Sequence, residues 1–119
     1  MSNSITIKSK IKNFNKIINV SGDKSISIRW VLLSSLANGV STAKNLLISE
    51  DVLAALNAIK QLGIKSKIEK DRCKVYGKGI NGYKFKKNII INSENSGTLG
   101  RLILGLLVKT PFTIKLIGD

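Results

Sequence analysis

The residues best suited to chemistry lie in a short loop ahead of an apolar helical pattern. Residues 22–27 (GDKSIS) lead into it, so Ser25 or Ser27 is predicted to lie where a helix begins. The first amides of a helix lack an intrahelical acceptor, and the helix dipole adds positive charge there. Lys24 and Arg29 supply two cations, and Ser25 and Arg29 share one helix face because they are four residues apart. The loop therefore predicts a binding site for a phosphate or carboxylate.

A second loop repeats the arrangement later in the chain. Residues 95–98 (NSGT) precede another apolar pattern, and Arg101 lies one turn inside the predicted helix. Either loop alone is also explained as an ordinary helix start, with Ser25 as an N-cap and Lys24 and Arg29 as solvated charges. The presence of both loops in one chain makes an anion-binding function the more specific interpretation.

Hydrophobic periodicity predicts a mixed α/β (α+β) chain that positions these loops. Helices are predicted at 25–37, 50–62 and 96–108, on one side of a sheet. Strands are predicted at 5–9, 16–20, 41–46, 65–69, 72–76, 89–92 and 112–117. Ser49 is interpreted as the N-cap of the second helix, and Asp51 as an acid that stabilises its first turn.

Length and composition set outer bounds. A chain of 119 residues has room for one domain with a modest core. No apolar run approaches the roughly 20 residues of a membrane span, and the polar start lacks the apolar core of a secretory signal, so we expect a cytoplasmic protein. With one cysteine and no histidine, we expect neither an internal disulfide nor a metal site.

The charge raises nucleic-acid binding as a rival function. The formal net charge is +13, from twenty lysines and arginines. The lysines are scattered along the sequence without a helical stripe or a basic tail, and the few aromatic residues form no recognisable stacking motif. We therefore expect small anionic substrates and no nucleic-acid partner.

The two loops resemble the substrate-binding signatures of the EPSP synthase (3-phosphoshikimate 1-carboxyvinyltransferase) family, whose members join phosphoenolpyruvate to shikimate 3-phosphate. Residues 22–27 with Arg29 resemble the first landmark, and residues 95–98 with Arg101 resemble the second. This sequence departs from the usual family pattern at Ser21, Ile28 and Gly100.

The resemblance implies a fold and a domain organisation. Family members are over three times longer, with two domains of repeated β-α-β-α-β-β units. Residues 22–86 would form one unit and the following residues the start of a second. Residues 1–20 would be strands of the other domain, and residues 21–119 a partial EPSP synthase-like domain. The chain would then be an N-terminal fragment of such an enzyme.

The resemblance also implies roles for individual residues. Lys24 would contact both substrates, while Ser25 and Arg29 would hold the phosphate of shikimate 3-phosphate. Gly97 would bring its backbone close to phosphoenolpyruvate. The residues that would support the second loop are Asn95 and Arg101.

The same resemblance implies that the acid–base groups of the reaction lie in the second half of the enzyme, so that no catalytic residue is expected in this chain. No cofactor is expected. The fragment alone would be inactive, and either the missing second half of the enzyme or a complementing chain would supply the remaining groups.

Two alternatives stay open at this point. UDP-N-acetylglucosamine enolpyruvyl transferases share the fold and chemistry, but typically carry Asn-Lys-Asn where this chain has Asp23-Lys24-Ser25. A non-enzymatic basic module that binds nucleic acid is the other alternative, and the scatter of the lysines counts against it.

Overall fold

The fold is a mixed α/β arrangement of three helices and two small sheets, described by a computed structural model over residues 3–10, 13 and 15–119. The helices are α1 (Lys24–Leu36), α2 (Glu50–Gln61) and α3 (Gly97–Leu107). The strands are β1 (Asn38–Lys44), β2 (Lys65–Glu69), β3 (Arg72–Lys78), β4 (Ile90–Asn92) and β5 (Lys115–Ile117). The three predicted helices are confirmed to within one or two residues at their ends.

The strands form two sheets, so the prediction of one shared sheet is wrong. The first sheet is antiparallel, in the order β1-β3-β2, and the second is a parallel pair of β4 and β5. β4 follows a long connection after β3, and its backbone pairs with the strand that follows α3 rather than with a free edge of the first sheet. A β-α-β connection over α3 is what joins parallel neighbours.

The core lies between the helices and the inner face of the first sheet. α2 places Val52 and Ile59 on one fully buried face, in the same core cluster as Val75 of β3. α1 is less enclosed than its apolar composition indicates, because Ile26 and Leu33 are 68% and 64% exposed. α1 therefore buries one face only.

Close backbone approaches set how the helices meet the sheet. Gly77 of β3 passes the end of α1 so closely that a Cβ there would collide with the carbonyl oxygens of Ser34 and Ala37. α2 ends where Gly63 adopts a φ of +83°, the left-handed conformation that glycine accepts most readily. The connection between β3 and β4 is held against α1, because Ser35 Oγ and Tyr83 Oη share a hydrogen bond of 2.7 Å.

The two strands predicted at 5–9 and 16–20 are not formed. A strand is stabilised by a paired neighbour, and no strand of the described chain pairs with either segment, so their alternating apolar residues stay in solvent. Ile5 and Ile17 are 92% and 93% exposed. Assignment of residues 1–20 to another domain stays a prediction, and residues 1, 2, 11, 12 and 14 of that range lie outside the described part.

Within the described part of the chain, none of the helices is long and apolar enough to cross a membrane. The same residues contain no group of three or more histidine, cysteine, aspartate or glutamate side chains that converge as metal ligands.

The Glu69 carboxylate generates a prediction about pH and stability. Its oxygens lie 2.6 Å from Lys67 Nζ and 3.0 Å from Lys74 Nζ. The hydrogen bond from Lys67, followed by that from Lys74, lowers the pKa of Glu69 from 4.5 to about 2. Because the folded-state pKa is the lower one, the stabilisation is complete above the unfolded-state pKa and is lost as the pH falls from about 4.5 to about 2.

We expect the free energy of unfolding of the Glu69→Gln variant to fall less than that of the parent over this pH range. Urea unfolding at several pH values on both proteins measures the difference. Equal losses in the two proteins would show that the lysine pair contributes nothing to acid sensitivity.

Candidate anion-binding site

The N-terminus of α1 is capped by Asp23, and neither serine proposed from the sequence occupies that position. The Asp23 carboxylate accepts the amide of Ile26 at 2.7 Å, and its carbonyl accepts the amide of Ser27 at 3.0 Å. The helix begins at Lys24, so Ser25 lies in its first turn. Asp23 takes the cap because its side chain reaches the third helical amide from the flanking position. The amides of Lys24 and Ser25 are left without an intrahelical acceptor.

Arg29 folds back toward this helix start. Its Nη1 donates a hydrogen bond of 3.1 Å to the carbonyl oxygen of Ser25. The guanidinium therefore lies beside the first turn, as the spacing of four residues predicts, and its remaining N–H donors can face a ligand. Ser25, Arg29 and the free amides are together at one end of α1.

Lys24 meets an acid that the sequence did not connect with it. Lys24 Nζ lies 2.9 Å from Asp51 Oδ2, with the lysine side chain 52% exposed and the aspartate side chain 19% exposed. Asp51 belongs to the first turn of α2, so its interpretation as a helix-start acid describes only half of its contacts. Because about half of the Lys24 side chain is exposed, its ammonium can also meet a ligand that approaches from solvent.

In the sequence, the Lys24–Asp51 ion pair was signalled only by acidic residues in the first turn of α2, and stabilisation of that helix was a sufficient explanation for them. Ser49 does occupy the N-cap position of α2, but its side chain makes no capping hydrogen bond, and its buried Oγ has no hydrogen-bond partner among the described residues.

The connection from β1 to α2 positions the first loop. A Cβ on Gly22 would collide with the carbonyl oxygen of Asn45 and would lie 2.8 Å from the amide of Leu47. Asn45 Nδ2 donates to the carbonyl of Val20 at 3.0 Å, and the Leu47 amide donates to Ser27 Oγ at 3.1 Å. The Ser27 hydroxyl therefore holds the β1–α2 connection, and its buried side chain is not part of the candidate anion-binding site.

The second loop has the same construction. Ser96 caps α3, and its side chain accepts the amide of Leu99 at 3.3 Å. Gly97, the first residue of the helix, is exposed. Arg101 folds back over it, with Nη2 3.4 Å from the place where a Cβ on Gly97 would stand. At both helix starts, the N-cap side chain accepts the backbone amide three residues further on. At both, an arginine side chain also turns back toward the first turn of the helix.

The end of β5 holds the second loop in place. The Ser93 amide donates to Ile117 O at 2.8 Å, and the Asp119 amide donates to Glu94 O at 3.0 Å. Gly118 allows this approach, because a Cβ there would stand 2.5 Å from Ser93 Oγ. Asn95 is exposed in the turn between these contacts and the cap.

The two loops belong to helices that pack together, since α1 contacts both α2 and α3. Among the described residues, however, no hydrogen bond or ion pair joins the first loop to the second. The structure brings Lys24, Ser25 and Arg29 to one helix end, and it brings Gly97 and Arg101 to another.

The fold is that of an α/β protein, and its two helix N-termini, each flanked by an arginine and one by a lysine, have the form of helix starts that suit anionic ligands. Residues 8–119 match the EPSP synthase (3-phosphoshikimate 1-carboxyvinyltransferase) family, and the chain belongs to that family. The resemblance stated from the two loops is confirmed, and neither alternative function is favoured by the comparisons.

Named relatives and solved structures agree on this family. A 3-phosphoshikimate 1-carboxyvinyltransferase of Thermoanaerobacter sp. (strain X514) is 40% identical over 114 residues, which is 95% of this chain and 26% of the relative. One of Streptococcus pyogenes serotype M2 is 43% identical over 102 residues, or 86% of this chain and 24% of the relative. An EPSP synthase from Acinetobacter baumannii superposes with a TM-score of 0.78 at 32% identity, over 86% of this chain and 23% of that structure. The chain spans about a quarter of the length of these proteins.

The close approach at Gly22 generates a prediction. We expect Gly22→Ala to lower the free energy of unfolding by about 1–3 kcal/mol, because the added methyl group forces Asn45 and Leu47 away. Gly105→Ala in α3 is the matched control, since a Cβ there has no neighbour within 4 Å and alanine favours the helix by about 1 kcal/mol. Urea unfolding of the two variants compares them. A Gly22→Ala protein as stable as the parent would contradict the close packing of the first loop against the connection between β1 and α2.

Proposed function

We propose that this chain supplies part of the substrate site of a 3-phosphoshikimate 1-carboxyvinyltransferase, the activity that transfers the enolpyruvyl group of phosphoenolpyruvate to shikimate 3-phosphate. The observation that carries the proposal is the start of α1, where Arg29 Nη1 lies 3.1 Å from Ser25 O beside two free amides and Lys24. Family membership of residues 8–119 supports the choice of substrates.

In this proposal the first loop receives the phosphate of shikimate 3-phosphate. The helix dipole and the free amides favour a dianion, the Ser25 hydroxyl donates one hydrogen bond, and Arg29 offers a charge-assisted pair. Lys24 lies at the rim, where it can reach this phosphate and the second substrate. Its present partner Asp51 keeps the ammonium oriented until a ligand arrives.

The second loop receives phosphoenolpyruvate. Gly97 has no side chain, so a ligand can approach the backbone amides at the start of α3. Arg101 lies over that glycine and supplies positive charge for the loop. Asn95 supports the turn, in keeping with its place between the Glu94 contact and the Ser96 cap.

Binding and positioning are the tasks we assign to this part of the enzyme. The reaction requires a proton to be delivered to the enolpyruvyl methylene and another to be removed from the shikimate hydroxyl, which calls for positioned acids and bases. We propose that those groups belong to the sequence that the relatives have beyond the quarter matched here, whether it lies in the same chain or in a complementing one.

Ligand titration tests the first loop. We expect the 119-residue chain to bind shikimate 3-phosphate with a dissociation constant on the order of millimolar, because one side of the ligand stays in water. Lys24→Ala and Arg29→Ala should each remove most of the binding, since each deletes a charge-assisted contact. Calorimetry or NMR chemical shifts give the affinities.

Lys65→Ala is the matched control for this titration. It also removes one exposed lysine, but Lys65 pairs with Tyr76, at the end of the sheet opposite the Lys44–Arg72 pair that adjoins the first loop. Its affinity should change by less than about 0.5 kcal/mol. Equal losses in all three variants would mean that binding follows net charge, and the assignment of the first loop would be wrong.

A turnover assay tests the division of labour. We expect the purified 119-residue chain to show no carboxyvinyl transfer above a buffer blank, because positioning alone does not supply the proton transfers. Addition of a protein that carries the remaining family sequence is the positive control. Turnover by the chain alone would place the acid–base groups among its own residues.

A further inference from the structure

The outer face of the first sheet gathers cations that look scattered in the sequence. Along β3, Arg72, Lys74 and Tyr76 alternate with the buried residues Cys73 and Val75, so they point away from the core. The register places the outward residues of β1 and β2 directly beside them. We call this surface the basic face; it consists of Val40, Thr42, Lys44, Lys65, Lys67, Glu69, Arg72, Lys74 and Tyr76.

Like charges face each other across the strands of this surface. Lys44 is paired with Arg72, and Lys67 is paired with Lys74. Like charges directly opposite each other destabilise a sheet, so an unbalanced set calls for a counter-charge. Glu69, the one carboxylate of the basic face, binds both Lys67 and Lys74 and so neutralises the second pair.

The first pair is compensated less closely, because Glu69 is the cross-strand partner of Arg72 but forms no ion pair with it. The nearest carboxylate to Arg72 is that of its exposed neighbour Asp71, at 3.9 Å from Nε. Among the described residues, no carboxylate lies within ion-pair distance of Lys44 or Lys65. Lys78 also lies on this side of β3, but its ammonium donates to the carbonyl of Gly63 at 2.7 Å and is left out of the basic face.

An aromatic ring lies among these cations. Tyr76 is 38% exposed and is flanked across the strands by Val40, itself 59% exposed, and by the stem of Lys65. A sheet face with an outward aromatic ring bordered by Lys65 and Lys74 offers a stacking surface for a base and charges for its phosphates. In a duplex the bases are already stacked on each other, so a duplex could contact the cations of the basic face but could not stack a base on Tyr76.

We propose that the basic face binds single-stranded nucleic acid, with Lys44, Arg72 and Lys65 on phosphates and the ring of Tyr76 stacked on a base. This activity is additional to the substrate site, which uses the starts of α1 and α3. It departs from the sequence-based expectation of no nucleic-acid partner, because the register brings dispersed lysines to one face of the sheet.

Fluorescence anisotropy with a labelled single-stranded oligonucleotide tests the proposal on the 119-residue chain. Lys44→Ala and Arg72→Ala should each weaken binding and lower the slope of log affinity against log salt by about 0.7. Tyr76→Ala should weaken binding about tenfold with an unchanged salt slope, whereas Tyr76→Phe, which keeps the ring, should bind like the parent. Circular dichroism confirms that each variant is folded.

One variant should gain affinity. Glu69→Gln removes the only carboxylate of the basic face and frees Lys67 and Lys74, so it should bind the oligonucleotide several-fold more tightly. A non-specific loss of fold cannot produce this increase.

Two controls separate the basic face from general charge. Lys86→Ala, an exposed lysine between β3 and β4, should leave binding unchanged, and so should Lys109→Ala, an exposed lysine just after α3. Equal losses in these controls and in the sheet variants would overturn the proposal. It would also be overturned if a duplex or heparin bound as tightly as the single strand and Tyr76→Ala had no effect.

Discussion

The contact on which the rest of this structure depends is the close approach of the chain before α1 to the connection between β1 and α2. Gly22 leaves no room for a side chain against Asn45 and Leu47, and Ser27 accepts the Leu47 amide at 3.1 Å. Because α2 begins directly after this connection, the same approach brings Asp51 to 2.9 Å from Lys24. A shift of this loop would move the cap, the cations and the counter-charge together.

Both candidate ligand sites use one construction, and its physics is local. An oxygen from the flanking residue satisfies the third helical amide, the first two amides stay free, and an arginine one turn further on turns back toward them. The loops that carry these helices are held from outside, by Asn45 in one case and by the end of β5 in the other. Local hydrogen bonds thus form each helix start, and contacts with distant parts of the chain fix its position in the fold.

The distribution of charge on the first sheet follows from the burial of one of its faces. The inner residues of β3, Cys73 and Val75, are buried against the helices, which leaves the lysines and Arg72 of the sheet no place but its outer face. Glu69 offsets two of these cations only, so the outer face keeps a positive surplus that solvent or a ligand must balance. The candidate anion-binding site and the basic face are therefore separate features of one basic chain.

The sequence by itself determined the three helices, the strands β2 and β3, and the identity of the residues at both helix starts. Helix caps, helical faces and strand alternation depend on residues within about four positions of each other. It did not reveal that Asp23 caps α1, since Ser25 and Ser27 were equally good capping residues in the same stretch. Only the tertiary structure decided that the strands form two sheets, that residues 5–9 and 16–20 form none, that Asp51 holds Lys24, and that dispersed lysines share one face. Each of these features joins residues far apart in the chain, where pairing depends on which partner the fold brings within reach and local pattern carries no information about it.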